Sequence, residues 1–200
     1  MKNWIPDALK HLRSNDSILS GIIGKIGECK LERRKEYFKS LVRSIISQQI
    51  SVHAARSIRE RLFKAVNNRV TSSMILKLKP LDFKKIGISP QKQSYIKDLS
   101  TRIQNRELNF RRFATLSDDE IIDRLTQVRG IGKWTAEMFL IFSLNRQNIL
   151  PVDDLGVRRA MMVNYKLKQM PQKHEMVEIA KNWEPYRSVG SWYMWKSLEF

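Results

Sequence analysis

Apolar side chains between Tyr37 and Val66 recur at three- and four-residue steps: Phe38, Leu41, Val42, Ile45 and Ile46, then Val52, Ala55, Ile58, Leu62, Phe63 and Val66. That period puts them on one face of a helix. It predicts two amphipathic helices broken at SQQIS, where Ser51 can cap the second. Shorter helices are predicted from SSMILKL, ending near Pro80, and from LDFKKIG, ending at Gly87. A longer one runs from Pro90 to about Arg106, with Ser89 as its cap and Pro90 in its first turn. LSDDEIIDRLTQV opens on a capping box of Ser117 and Glu120, and its acidic first turn suits the positive end of the helix dipole. No segment alternates apolar and polar residues as a half-buried strand does. The predicted fold class is all-α, with no low-complexity linker or strong repeat.

Composition adds a partner to this picture. The 200 residues suffice for one compact unit or two small lobes with a real core. Lys and Arg number 37 against 20 Asp and Glu, a formal charge of +17 spread along the chain rather than confined to a tail. Such an excess repels itself in a compact fold, and a polyanion relieves the repulsion. Nucleic acid is the expected partner, with ribosome-like or membrane-surface binding as the alternatives. The runs KLERRKEYFK and NRELNFRR either widen the basic footprint or are solvated faces. Cys29 is the only thiol, and His11, His53 and His174 show no metal-ligand spacing, so no metal or disulfide framework is expected. No window approaches the roughly 18 apolar residues of a membrane span, and the N-terminus lacks an apolar run of signal-peptide length. An intracellular soluble protein is expected.

Candidate chemistry centres on QVRGIGKWTAEMFL, Gln127 to Leu140. A helix is predicted to end at Val128 and the next to begin near Lys133. Between them Arg129 opens a turn, Gly130 and Gly132 permit angles that a side chain would forbid, and Ile131 packs inward. Such a turn is either a plain helix connection with a glycine cap or a phosphate site made of bare N–H groups at a helix start. The basic charge and Lys133 favour phosphate. Gln48 and Gln49, at a helix junction, face either an opening or solvent, because an amide pair is costly against a core. PVDDLGV offers two acids, Asp153 and Asp154, able to cap the helix that follows.

Taken together, VRGIGKWTAEMFLIFSL and ILPVDDLGVRRAM resemble the helix-hairpin-helix DNA glycosylases with a downstream catalytic aspartate. Trp134 directly after the hairpin, DLGV after the acid, WEPYRSVGSWYMW and LVRSIISQQISVHAA are similar to the 3-methyladenine DNA glycosylase II branch. The resemblance runs from about Phe38 to Trp195. It implies two helical lobes with the active-site cleft between them. The central lobe would span 35–144 and end in the hairpin (about 121–144); 1–34 with 145–200 would form the second. The implied activity is a monofunctional glycosylase that flips alkylated purines, of the 3-methyladenine or 7-methylguanine type, out of duplex DNA and hydrolyses the N-glycosidic bond in base excision repair.

The resemblance also distributes roles. Counting from the acid to the apolar residue of the family pattern, Asp154 leads to Val157 and becomes the catalytic carboxylate, with Asp153 in reserve. A fixed carboxylate stabilises the oxocarbenium character that develops on the sugar. Lyase-type relatives carry a lysine nucleophile where this chain has Trp134, and Lys133 points to another side of the helix, so hydrolysis is implied. Trp134 and Trp195 would stack on an electron-poor base, with Met138, Gln48 and Gln49 around it. Met138 departs from the tyrosine of some bacterial members, and this bears on substrate range. Arg129, Gly130, Ile131, Gly132, Lys133 and Thr135 would hold DNA. Arg187 and Ser188 recur in the family near the C-terminal helix, and Arg187 reads as structural or phosphate-facing. No organic cofactor is implied, and a monovalent cation on the hairpin carbonyls is left open. A monomer acting on damaged double-stranded DNA is expected, away from membranes: in the cytoplasm with the nucleoid in a prokaryote, in the nucleus in a eukaryote. The rivals are a same-fold glycosylase for hypoxanthine, ethenoadenine, 8-oxoguanine or deaminated pyrimidines, and a non-catalytic DNA-binding module.

Overall fold

The computed structural model describes residues 4–199. They are all-α: no strand occurs among the described residues. Arg34–Phe139 forms one unit, and the chain on either side, up to Arg33 and from Leu140, forms the other. Among the described residues no helix is long and apolar enough to cross a membrane.

The outer unit begins with α1 (Ile5–Asn15) and α2 (Ser17–Ile26). Asp16 caps α2 by accepting from the Leu19 N–H at 2.9 Å, and its second carboxylate oxygen accepts from Trp183 Nε1 at 2.9 Å and from the Tyr165 hydroxyl. Burial and this contact with Asp16 push the Tyr165 hydroxyl well above its ordinary pKa.

The central unit supplies α3 (Tyr37–Ser47), α4 (Val52–Ala65), α5 (Ser72–Lys77), α6 (Pro80–Ile86), α7 (Pro90–Gln104), a 3₁₀ turn at Phe110–Ala114, α8 (Asp118–Thr126) and α9 (Lys133–Phe139). The hydroxyls of Ser51, Ser89 and Ser117 accept from the N–H three residues on, as the sequence predicts. The long helix stops at Gln104 rather than Arg106, whose φ is +62°. Likewise α8 stops at Thr126, short of Val128. Phe83 and Phe113 are fully buried here, each such burial stabilising by roughly 1.5–3 kcal/mol.

A π-helical turn, Leu140–Leu144, leads back to the outer unit, followed by α10 (Leu155–Asn164), α11 (Lys173–Ile179), a 3₁₀ turn at Ala180–Trp183 and α12 (Arg187–Ser197). α12 packs against α1, α2 and α10 and is buried from Ser188 through Met194, so it is the axis of that unit. The boundary falls at Phe139 and not at 144. Phe139 packs its ring against Tyr37, Phe110 and Phe113, whereas Phe142 packs against Trp195.

Candidate functional site

The hairpin between α8 and α9 is held by one face of α7. Asp98 accepts the Arg129 N–H at 2.9 Å and lies 3.9 Å from its guanidinium. One turn earlier, the Tyr95 ring lies against Gly130, where a Cβ would sit 2.0 Å from the ring. Gly130 also has φ +80°, which L side chains rarely adopt. A further turn back, the Lys92 ammonium donates to the carbonyls of Ile46 (2.8 Å) and Gln48 (2.7 Å) and so seals the end of α3. Desolvation lowers the pKa of that ammonium.

Several expected hairpin contacts need correction. Ile131 is 3 % exposed and its N–H donates to the Val128 carbonyl at 3.0 Å, so its side chain anchors the turn, as its inward packing predicts, rather than lying on the surface. Thr135 is 5 % exposed and faces a cavity of the central unit. Gly132 needs no positive φ; a Cβ there would meet nothing within 4 Å. Arg129, Gly132 and Lys133 are exposed, and Gly130 is half-buried.

That cavity, of about 970 Å³, lies among α3, α4 and α9, and Trp134, Met138, Gln48 and Gln49 all line it. Trp134 is 45 % exposed, an unusual state for tryptophan outside a binding surface. Gln48 donates its amide N–H to the Gly130 carbonyl at 2.8 Å, tying the α3–α4 turn to the hairpin. Gln49 holds φ +54° in that turn. Arg43, Arg56 and Arg59 also line the cavity, and reading the sequence missed them. Their positions on α3 and α4 are three or four apart from other lining residues, a signal available in principle.

The outer unit holds the second half of the predicted set. Asp154 caps α10: its Oδ1 accepts from the Val157 N–H and from Trp195 Nε1, both at 2.8 Å. The residue is 8 % exposed. Two N–H donors on one oxygen fix the carboxylate plane. Asp153, by contrast, is half-exposed and ion-paired with Lys173. The Trp195 ring packs 5.6 Å from Phe142. Gly156 lies so close that a Cβ would be 3.0 Å from Asp154 Oδ1.

The loop before the acid is clamped from α12. Ser188 accepts from the Ile149 N–H (3.1 Å) and donates to the Arg146 carbonyl (2.7 Å), while Arg187 donates to Asn148 at 2.8 Å and pairs with Glu184 at 3.1 Å. Of its two expected roles, Arg187 takes the structural one. Trp183 and Trp192 are core residues at 0 % and 7 % exposure. Among the described residues no cluster of three His, Cys, Asp or Glu could hold a metal ion.

Comparison with known proteins places this geometry. Residues 42–185 match the HhH-GPD superfamily base excision DNA repair protein family. The DNA-3-methyladenine glycosylase 1 of Schizosaccharomyces pombe is 32 % identical over 194 residues, 94 % of this chain and 85 % of that one. The S. pombe 3-methyladenine DNA glycosylase solved with abasic DNA superposes with a TM-score of 0.85 at 30 % identity, covering 97 % of both chains. A DNA-3-methyladenine glycosidase from Bacillus halodurans gives a TM-score of 0.88 at 31 % identity, covering 95 % of this chain and 88 % of the other.

Proposed function

The chain belongs to the HhH-GPD superfamily of base excision DNA repair proteins, and from that premise we propose that it excises alkylated purines from duplex DNA as a monofunctional N-glycosylase. The observation that carries the reading is Asp154, nearly buried, with Oδ1 fixed between the Val157 N–H and Trp195 Nε1. Its relatives named as 3-methyladenine glycosylases supply the substrate class.

The lesion nucleotide turns out of the duplex and its base stacks on Trp134, with Met138 beside it. An N-alkylated purine carries positive charge, so it leaves as a neutral base and needs no proton donor. The C1′–N bond breaks with its electron pair going to the base. Positive charge then develops on the deoxyribose, and the Asp154 carboxylate stabilises it. A water oxygen bonds to C1′, its proton passes to solvent, and an abasic site remains. Trp134 occupies the position where lyase-type relatives carry lysine, so no amine attacks the sugar.

The test is release of 3-methyladenine and 7-methylguanine from methylated duplex DNA, with abasic sites scored by alkaline cleavage. Asp154→Asn should lower the rate by roughly 10²–10³, the cost of removing one preorganised electrostatic contact. Asp153→Asn should retain most activity, because that side chain is committed to Lys173. Unchanged base release by Asp154→Asn sinks the assignment.

A further inference from the structure

The lining of the central cavity has a chemistry that stacking a base does not use. Arg43 and Arg59 line it, and neither has a carboxylate partner among the described residues. Glu60 is the one carboxylate among the lining residues, and it is paired with Arg56 at 3.0 Å.

Both guanidinium groups are held in place. Arg59 donates to Ser47 Oγ at 3.1 Å, and that hydroxyl is itself oriented by donating to the Arg43 carbonyl at 2.9 Å. Arg43 lies over the Phe63 ring, 5.4 Å from its centroid, a contact that does not use its N–H groups. Arginine only donates, so two half-buried forks in one concave wall call for an acceptor-rich anion. The like charge of a cationic alkylated base gives these guanidinium groups nothing to bind.

Resting on the glycosylase reading above, we propose that Arg43 and Arg59 make a phosphate subsite in this cavity that holds a phosphodiester of the lesion-bearing strand. The cavity volume of about 970 Å³ exceeds what one base needs, leaving room for backbone beside it. Neutralisation by the phosphate also removes the repulsion that this wall would otherwise exert on a cationic base near Trp134.

The experiment measures binding of the full chain to a duplex with a central tetrahydrofuran abasic analogue, across a series of NaCl concentrations. Wild type is compared with Arg43→Gln, Arg59→Gln and Arg59→Lys. Each Gln variant should reduce the magnitude of the log Kobs against log[salt] slope by about 1, and Arg59→Lys should keep it. Duplexes with one methylphosphonate at each position around the analogue identify the contact: one position weakens wild type and costs the Gln variants nothing further. Should Arg59→Gln fail to fold by circular dichroism, Arg43→Gln reads the same quantity. Slopes equal to wild type, with every methylphosphonate costing all proteins alike, overturn the proposal. It is likewise overturned if inorganic phosphate raises the Tm of wild type but not of the Arg variants while the DNA slopes stay equal, which would mark a free-anion site. Failure of the glycosylase reading shows elsewhere, as absence of base release by wild type, because the slopes are read on an uncleavable analogue.

Discussion

Gly156 sits two residues after Asp154, where a Cβ would lie 3.0 Å from Asp154 Oδ1, 3.1 Å from Trp195 Cδ1 and 3.3 Å from its Nε1. Alanine there must push the indole or the carboxylate aside, since neither is the end of a long flexible chain. The substitution should therefore lower kcat for base release by about 10–10², the range in which sub-ångström to ångström misplacement of a catalytic group falls, while DNA affinity stays near wild type. Single-turnover release from methylated DNA checks the first part and anisotropy the second; a wild-type kcat would show that the Asp154–Trp195 contact does not position the acid. At this scale the sequence was partly legible. The acid could be chosen because its spacing to Val157 matches a family pattern, and the structure gives a physical counterpart in the Val157 N–H that Asp154 accepts. The partner on its other side was not legible as a hydrogen bond, because Trp195 lies 41 residues away. The inward packing of Ile131 was legible from its place between two glycines, whereas Thr135, given to DNA by the resemblance, is buried, which the hairpin's spacing does not reveal.

Three residues of α7 spaced three apart, Lys92, Tyr95 and Asp98, organise two turns that are distant in sequence: the end of α3 and the hairpin. Spacing of three on a helix puts them on one stripe, yet nothing local says what the stripe meets. Helix starts were readable wherever a serine caps them, at Ser51, Ser89 and Ser117, since the cap is a contact between near neighbours. The 3₁₀ turn at Phe110–Ala114 and the π turn at Leu140–Leu144 were not, because packing rather than propensity sets them. Gly130 gives the element-scale prediction. Alanine there incurs the strain of φ +80° and meets the Tyr95 ring at 2.0 Å. The cost should be about 1–3 kcal/mol, lowering Tm by about 2–4 °C per kcal/mol. Thermal unfolding followed by circular dichroism reads it. The double variant Gly130→Ala with Tyr95→Ala should recover part of the loss, the steric part; no recovery would mean that the backbone angle alone requires glycine.

Across the whole chain, helical periodicity made the all-α class legible, while the boundary at Phe139 was set by which aromatic cluster each ring joins. Charge is the property that belongs to no single residue or helix. The formal +17 is not neutralised inside the fold: several ion pairs among the described residues join positions three or four apart, as with Lys39–Glu36 and Arg56–Glu60, and these compensate charge only locally. Unbalanced surface charge destabilises a compact state through self-repulsion. Raising NaCl from about 10 to about 150 mM shortens the screening length from roughly 30 to roughly 8 Å, so the Tm of the free protein should rise over that range. With an excess of duplex DNA the sign should differ. Binding to the folded state adds stability by mass action, but the same salt weakens binding through counterion release. The Tm increment due to DNA should therefore shrink as NaCl rises, and the two melting curves should converge. A salt-independent Tm for the free protein would mean that the excess charge is spaced widely enough to be harmless. A DNA increment that also ignores salt would mean that phosphate contacts contribute little, contrary to both the basic composition and the arginine-lined cavity.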